Sequence, residues 1–208
     1  MGKAVKRVEG MKAGIVIVCA VTLILLRWFL PIHEEGYTNS FFFYFLMPLL
    51  LIILLFRQSP KRFGFRLGDW KKGLKYAGMF GAAALVLNLA GMLFPSIRET
   101  YGNDYTIAAF GIYLLKYGLA IGAEEFFFRG FMLFGLAERF GRDAIFIQMI
   151  PFALLHLGKP GVEAFTTIIT GLILGYIALK SKAWWPAWLS HLSIGLTIGI
   201  YANWGTLF

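Results

Sequence analysis

The chain has 208 residues, 59% of them hydrophobic and 15% charged, with a mean hydropathy of +0.70, far from the balance of a soluble globular domain. Its 24 Gly, 21 Phe and 6 Trp suit packed membrane helices, in which small residues let backbones approach and aromatic rings collect at the interfaces. This excludes a disordered chain, a collagen and a disulfide-stapled secreted scaffold, and the single Cys19 reads as a packing residue.

A hydrocarbon core of about 30 Å takes roughly 20 apolar residues of helix. On that scale the chain reads as an all-α, polytopic helix bundle forming one membrane domain, with about seven spans: 13–31, 38–56, 75–94, 107–137, 143–157, 162–179 and 184–204. The first follows a basic start and imitates a signal peptide, but Arg27-Trp28-Phe29-Leu30-Pro31 offers no small-residue cleavage site. Myristoylation at Gly2 is not expected, because Lys6 stands where the motif needs Ser or Thr. His33-Glu34-Glu35, after the first span, reads as a solvated loop.

Residues 57–75 interleave seven Lys and Arg with Phe63, Phe65, Leu67 and Trp70, which predicts an interfacial helix resting on anionic headgroups. Residues 1–106 thus hold the N-terminal spans and this basic linker, and 107–204 hold the rest of the bundle. The fourth span is too long for one simple crossing and should bend or run partly along the interface.

Set against these spans, 15 of the 20 basic residues fall on one side of the membrane, and only Arg98 and Lys159 fall in the opposite loops. That asymmetry predicts a cytoplasmic N-terminus, with a prokaryotic plasma membrane as the expected location. The formal charge of +9 is therefore a topology signal, and no nucleic-acid partner is expected.

Ionisable side chains inside spans cost several kcal/mol unless paired or hydrated, which makes them functional candidates. Arg27 and Lys116 lie near span ends and can snorkel. Glu125 and Arg129 are i and i+4 on a helix, acid first, the favourable order for a pair. Glu124 is rotated by about 100° from that pair, and its own i+4 neighbour is Phe128. It must find its partner on another helix, and the comparable buried candidates are His156 and His191. A lone intramembrane His is often only a hydrogen-bond donor between helices. Two of them with an unpaired carboxylate could instead hold a metal, relay protons or activate water. Lys159 and Glu163, again i and i+4, read as an outer-loop clip, with Pro160 as the first residue of the sixth span.

Taken in order, Glu124-Glu125-xxx-Arg129, Phe152-xxx-His156 and His191 near the start of the last span resemble the three motifs of the CPBP family, which includes type II CAAX prenyl proteases and bacteriocin-processing or immunity-related membrane proteins. The Phe63-Gly64-Phe65-Arg66-Leu67-Gly68 stretch is similar to that family too. The resemblance implies an intramembrane endopeptidase over 107–204, acting on membrane proteins or lipidated peptides, CAAX-type prenylated ones included. Glu124 with His156 would activate water, His191 would bind the oxyanion, and Glu125 and Arg129 would position Glu124. No cofactor is expected; the variant is a zinc enzyme with Glu124, His156 and His191 as ligands. The family's last motif continues His-xxx-Asn or Asp, whereas this chain has Gly195, so a side-chain donor is missing and Ser193, Thr197 or a backbone amide would have to substitute. That gap favours the alternative of a non-catalytic immunity or binding protein; a proton-coupled transporter is a third class.

Gly118 with Gly122, Gly171 with Gly175 and Gly195 with Gly199 form small-xxx-small patterns that predict close helix contacts. Helix-rise arithmetic puts Glu124 and His156 at similar depth and His191 about 10 Å away, so tilt, or a break such as one at Pro151 or Pro186, is needed to close the site.

Overall fold

A chain surrounded by hydrocarbon must satisfy its backbone polar groups internally, and a helix does so within a single segment. The computed structural model describes residues 3–103 and 105–207, and among these every regular element is helical. Helix α1 runs Lys3–Phe29. A second rod follows as α2 (Gly36–Phe41), a π-helical turn (Phe42–Leu46), α3 (Met47–Leu50) and another π-helical turn (Leu51–Leu55). Then come α4 (Trp70–Gly91), the short α5 (Pro95–Tyr101) and α6 (Ile107–Glu125). A wide π-helical segment, Phe126–Met132, carries α6 without interruption into α7 (Leu133–Phe140). The chain ends with α8 (Ala144–Leu154), α9 (Gly161–Ser181), α10 (Trp185–Ala202) and α11 (Trp204–Leu207). Gly2 lies outside the described residues.

By length and composition five stretches can cross a membrane: Val8–Phe29, Gly36–Leu55, Trp70–Gly91, Ile107–Leu154 and Gly161–Ser181. The 48-residue fourth stretch contains the fourth expected span and the fifth up to Leu154. The seventh corresponds to α10, whose Pro186, Ser190, His191 and Ser193 dilute its apolar character. Val18, Leu54, Val86, Leu119 and Phe165 are exposed, as a surface meant for lipid requires.

The long fourth span contains the π segment. All seven of its residues, Phe126–Met132, are buried. Phe126, Phe127, Phe128 and Phe131 form an aromatic centre with Tyr44, Phe45, Phe56 and Phe63, where offset and edge-on ring pairs contribute about 0.5–1.5 kcal/mol each beyond burial.

The small-xxx-small pairs lie at helix contacts. Trp188 of α10 covers Gly122 and donates its indole N–H to the Gly118 carbonyl of α6 at 3.0 Å. Gly171 and Gly175 of α9 receive Met149, Phe152, Gln148 and Ile145 of α8, and Gly199 of α10 receives Phe110 and Tyr113 of α6.

The basic linker differs from expectation. It forms no interfacial helix, only a single 3-10 turn, Pro60–Phe63, before Trp70. Phe63 is fully buried, and Gly64 and Gly68 adopt positive φ of 78° and 63°, a conformation open to glycine that ends any helix there. The linker is stitched to the turn between α9 and α10. Arg66 Nε donates to the Lys182 carbonyl at 2.7 Å, Asp69 N to the Ser181 carbonyl at 2.7 Å, and the Trp185 indole to the Leu67 carbonyl at 3.0 Å. Phe65, Leu67 and Trp70 remain exposed. The segment is thus a clasp between the two halves of the chain, with an apolar outer rim.

Candidate active site

Glu124 and Glu125 end α6 just before the π segment, a rare helical form often found at functional positions. Glu125 points inward. Its Oε1 accepts from Arg129 Nη1 at 2.8 Å and lies 2.7 Å from His191 Nδ1, and the Glu125 and Arg129 side chains are fully buried. The expected i, i+4 pair is therefore present, with a third member from α10. The Arg129 guanidinium also lies 3.9 Å from the centroid of the Phe152 ring on α8, a stacked cation–π contact. Three helices meet at this one carboxylate.

Glu124 faces the other way, into a cavity of about 750 Å³ that it lines together with Phe152, His156 and His191. Glu124 makes no hydrogen bond or ion pair among the described residues. The three residues singled out in the sequence thus share one cavity, but the hydrogen bond of His191 goes to Glu125 and not to Glu124.

His156 is not inside a span. Helix α8 ends at Leu154, and residues 155–158 form a turn. There the His156 amide bonds to the Ala153 carbonyl at 3.0 Å, a tightened turn that frees the Phe152 carbonyl. That carbonyl is 2.9 Å from His156 Nδ1. A carbonyl only accepts, so Nδ1 carries the proton and Nε2 presents its lone pair. His191 is anchored through Nδ1 as well, against the Glu125 carboxylate, which leaves its Nε2 facing the cavity that it lines. Phe152 packs against both imidazoles, with centroid distances of 4.8 Å to His156 and 5.8 Å to His191. Helix α8 ends three residues after Pro151, whereas Pro186 stands in the first turn of α10 and breaks nothing.

The zinc variant needs Glu124, His156 and His191 close around one point; among the described residues no group of three or more His, Cys, Asp or Glu is arranged to hold a metal ion.

Residues 105–197 match the family model described as type II CAAX prenyl endopeptidase, Rce1-like. That stretch is similar to the Rce1-like family, in agreement with the CPBP resemblance. That stretch includes Glu124, Glu125, Arg129, Phe152, His156 and His191. No curated protein and no solved structure matches the chain significantly. With five helical stretches long and apolar enough to cross a membrane, the chain is a multi-pass membrane protein, of which residues 105–197 are similar to a protease family.

At the rim of the cavity lies a cluster that sequence reasoning missed. Lys159 and Glu163 do not clip each other directly. Tyr101 stands between them, its hydroxyl 2.7 and 2.8 Å from the two Glu163 oxygens and 3.3 Å from Lys159 Nζ. Burial, and then the neighbouring Glu163 carboxylate, push the Tyr101 phenol far above its ordinary range, so it stays a donor. Pro160 caps α9, which begins at Gly161. Near the far end of α1, Lys116 pairs with Glu35 at 2.9 Å and holds that carboxyl below its usual range. Arg27 donates to Ser40 Oγ at 3.1 Å.

Proposed function

We propose that the chain is a metal-independent, glutamate-type intramembrane endopeptidase that hydrolyses a peptide bond in a membrane-associated or lipidated substrate, prenylated CAAX-type chains included. Glu124 accepts a proton from a water also held by Nε2 of His156. The water oxygen bonds to the substrate carbonyl carbon, and the carbonyl π pair moves onto oxygen. His191 donates to that oxyanion, an effect typically worth about 3–4 kcal/mol for one well-placed donor. When the C–N bond breaks, Glu124 returns its proton to the leaving amine. Glu125 and Arg129 hold His191 and the helix carrying Glu124 in register. In a prokaryotic plasma membrane with a cytoplasmic N-terminus, as the basic residues favour, substrate would enter the cavity from the lipid side.

The observation that carries this reading is an unpaired carboxylate in a roughly 750 Å³ cavity beside two histidines that are each fixed through Nδ1. The cavity walls are mainly apolar, Leu87, Ile121, Ile169 and Ile173 among them, which suits a lipid-bearing chain. The test is cleavage of prenylated and unprenylated membrane peptides by wild type, Glu124→Gln and His156→Ala in liposomes. Loss in both variants is expected, with activity unaffected by chelators. Equal cleavage by all three rejects the mechanism, and a cellular phenotype that survives Glu124→Gln would make a non-catalytic binding role the function.

A further inference from the structure

Gly195 lies one helical turn beyond His191 on α10, so both present the same face to the cavity that they line. A methyl group built on Gly195 would overlap the Tyr117 ring and its hydroxyl oxygen. The phenol of α6 therefore occupies the volume into which a side chain at 195 would project. Tyr117 lines the cavity, and its hydroxyl makes no hydrogen bond among the described residues. Its ring is held by a ladder of aromatic neighbours on its own side. Tyr113 stacks on it at 5.7 Å, and Tyr105 and Phe110 stack on Tyr113 at 5.3 and 5.9 Å.

The other donors near this turn are engaged elsewhere. Ser193 Oγ donates to the Ser190 carbonyl at 2.6 Å, and Thr197 Oγ1 to the Ser193 and Ile194 carbonyls at 2.8 and 3.0 Å. Asn88 of α4 spends its amide on the Ile194 carbonyl and Thr197 Oγ1. The backbone amides belong to the continuous helix Trp185–Ala202.

We infer that Tyr117 is a catalytic residue whose hydroxyl, admitted by Gly195, donates the second hydrogen bond to the substrate oxyanion beside His191. This rests on the protease reading above. A phenol is neutral at ordinary pH, so it offers a donor that needs no counter-ion. It releases no proton during the cycle: water supplies the hydroxyl that joins the acyl carbon and the proton that leaves with the amine.

Tyr117→Phe keeps the ring and the fit to Gly195 and removes only the donor. Its kcat should fall about 100-fold, with KM changed by no more than about two-fold and the thermal midpoint unaltered. Tyr117→Ala combined with Gly195→Asn should recover about ten-fold over Tyr117→Ala alone, because the amide then reaches the vacated volume. A peptide phosphinate, which mimics the tetrahedral intermediate, should bind Tyr117→Phe at least about ten-fold more weakly than wild type, while the planar parent peptide binds both alike. Unchanged kcat and unchanged phosphinate affinity in Tyr117→Phe, with Glu124→Gln inactive, overturn the role of Tyr117 and leave the protease reading intact. A wild type that neither cleaves nor prefers the phosphinate overturns both.

Discussion

Glu125 is fully buried, with one oxygen shared between Arg129 and His191, whereas its neighbour Glu124 lines the cavity and accepts no hydrogen bond among the described residues. One step along a helix is a rotation of about 100°, and here that rotation separates two uses of the same functional group. A carboxylate in a dry interior is tolerable only when cations and donors surround it, so Glu125 acts as the joint where α6, the π segment and α10 meet. A carboxylate facing a cavity keeps its lone pairs free for a water molecule, so Glu124 retains its chemistry.

The largest effect that tests this division is on rate. Glu124→Gln should lower kcat by at least about 1,000-fold and leave the unfolding midpoint in mixed micelles unchanged. Glu125→Gln should lower that midpoint and impair activity indirectly. A midpoint that falls equally in both variants would show that the two glutamates share one structural role.

Next comes the buried pair itself. Arg129→Ala leaves the Glu125 carboxylate without its guanidinium and should destabilise the fold by about 3–5 kcal/mol, read by reversible unfolding in detergent. Glu125→Gln with Arg129→Met removes both charges and should recover part of that loss. If Arg129→Ala is as stable as wild type, water or lipid headgroups reach Glu125, and the dry side of the site is not dry.

The pair was legible in the sequence because both partners lie on one helix at a fixed spacing, and the apolar runs were legible because each span is a local property of about 20 residues. Partners on different helices were not. His191 was matched to Glu124 by elimination, yet the packing of α10 against α6 brings its ring to Glu125. Tyr101 meets Glu163 across 62 residues, and nothing local announces such a pair. The linker was misread although its markers were present. Amphipathic composition describes which residues like an interface, but Pro60, Gly64 and Gly68 decide that the backbone turns. Likewise Pro151 upstream and Gly158-Lys159-Pro160 downstream mark the early end of α8 that puts His156 on a turn.

A smaller effect is expected where the architecture supports the cavity from behind. A Cβ on Gly171 would lie 3.0 Å from Met149 Cγ and 3.1 Å from Phe152 Cδ1, so Gly171→Leu should destabilise by about 1–3 kcal/mol through overpacking. Because the Phe152 carbonyl fixes His156, kcat should fall in the same variant. Gly78→Leu and Gly111→Leu, where nothing lies within 4 Å, should affect neither quantity. A harmless Gly171→Leu would mean that α8 and α9 are free to separate.

The smallest effect belongs to the rim. Tyr101→Phe removes the hydroxyl that both Glu163 oxygens accept, and at a partly exposed site it should cost about 1 kcal/mol of unfolding free energy. The sign of its pH dependence follows from the raised phenol. Below about pH 10 Tyr101 is protonated in both the folded and the unfolded chain, so the difference between wild type and variant should be flat from about pH 7 to about pH 9. Above that the unfolded chain ionises Tyr101 while burial and Glu163 keep the folded one protonated, so wild-type stability should decline and the difference should shrink. A difference that instead grows above about pH 10 would mean that Tyr101 ionises more readily in the folded chain. Its partner would then be the Lys159 ammonium, not the Glu163 carboxylate.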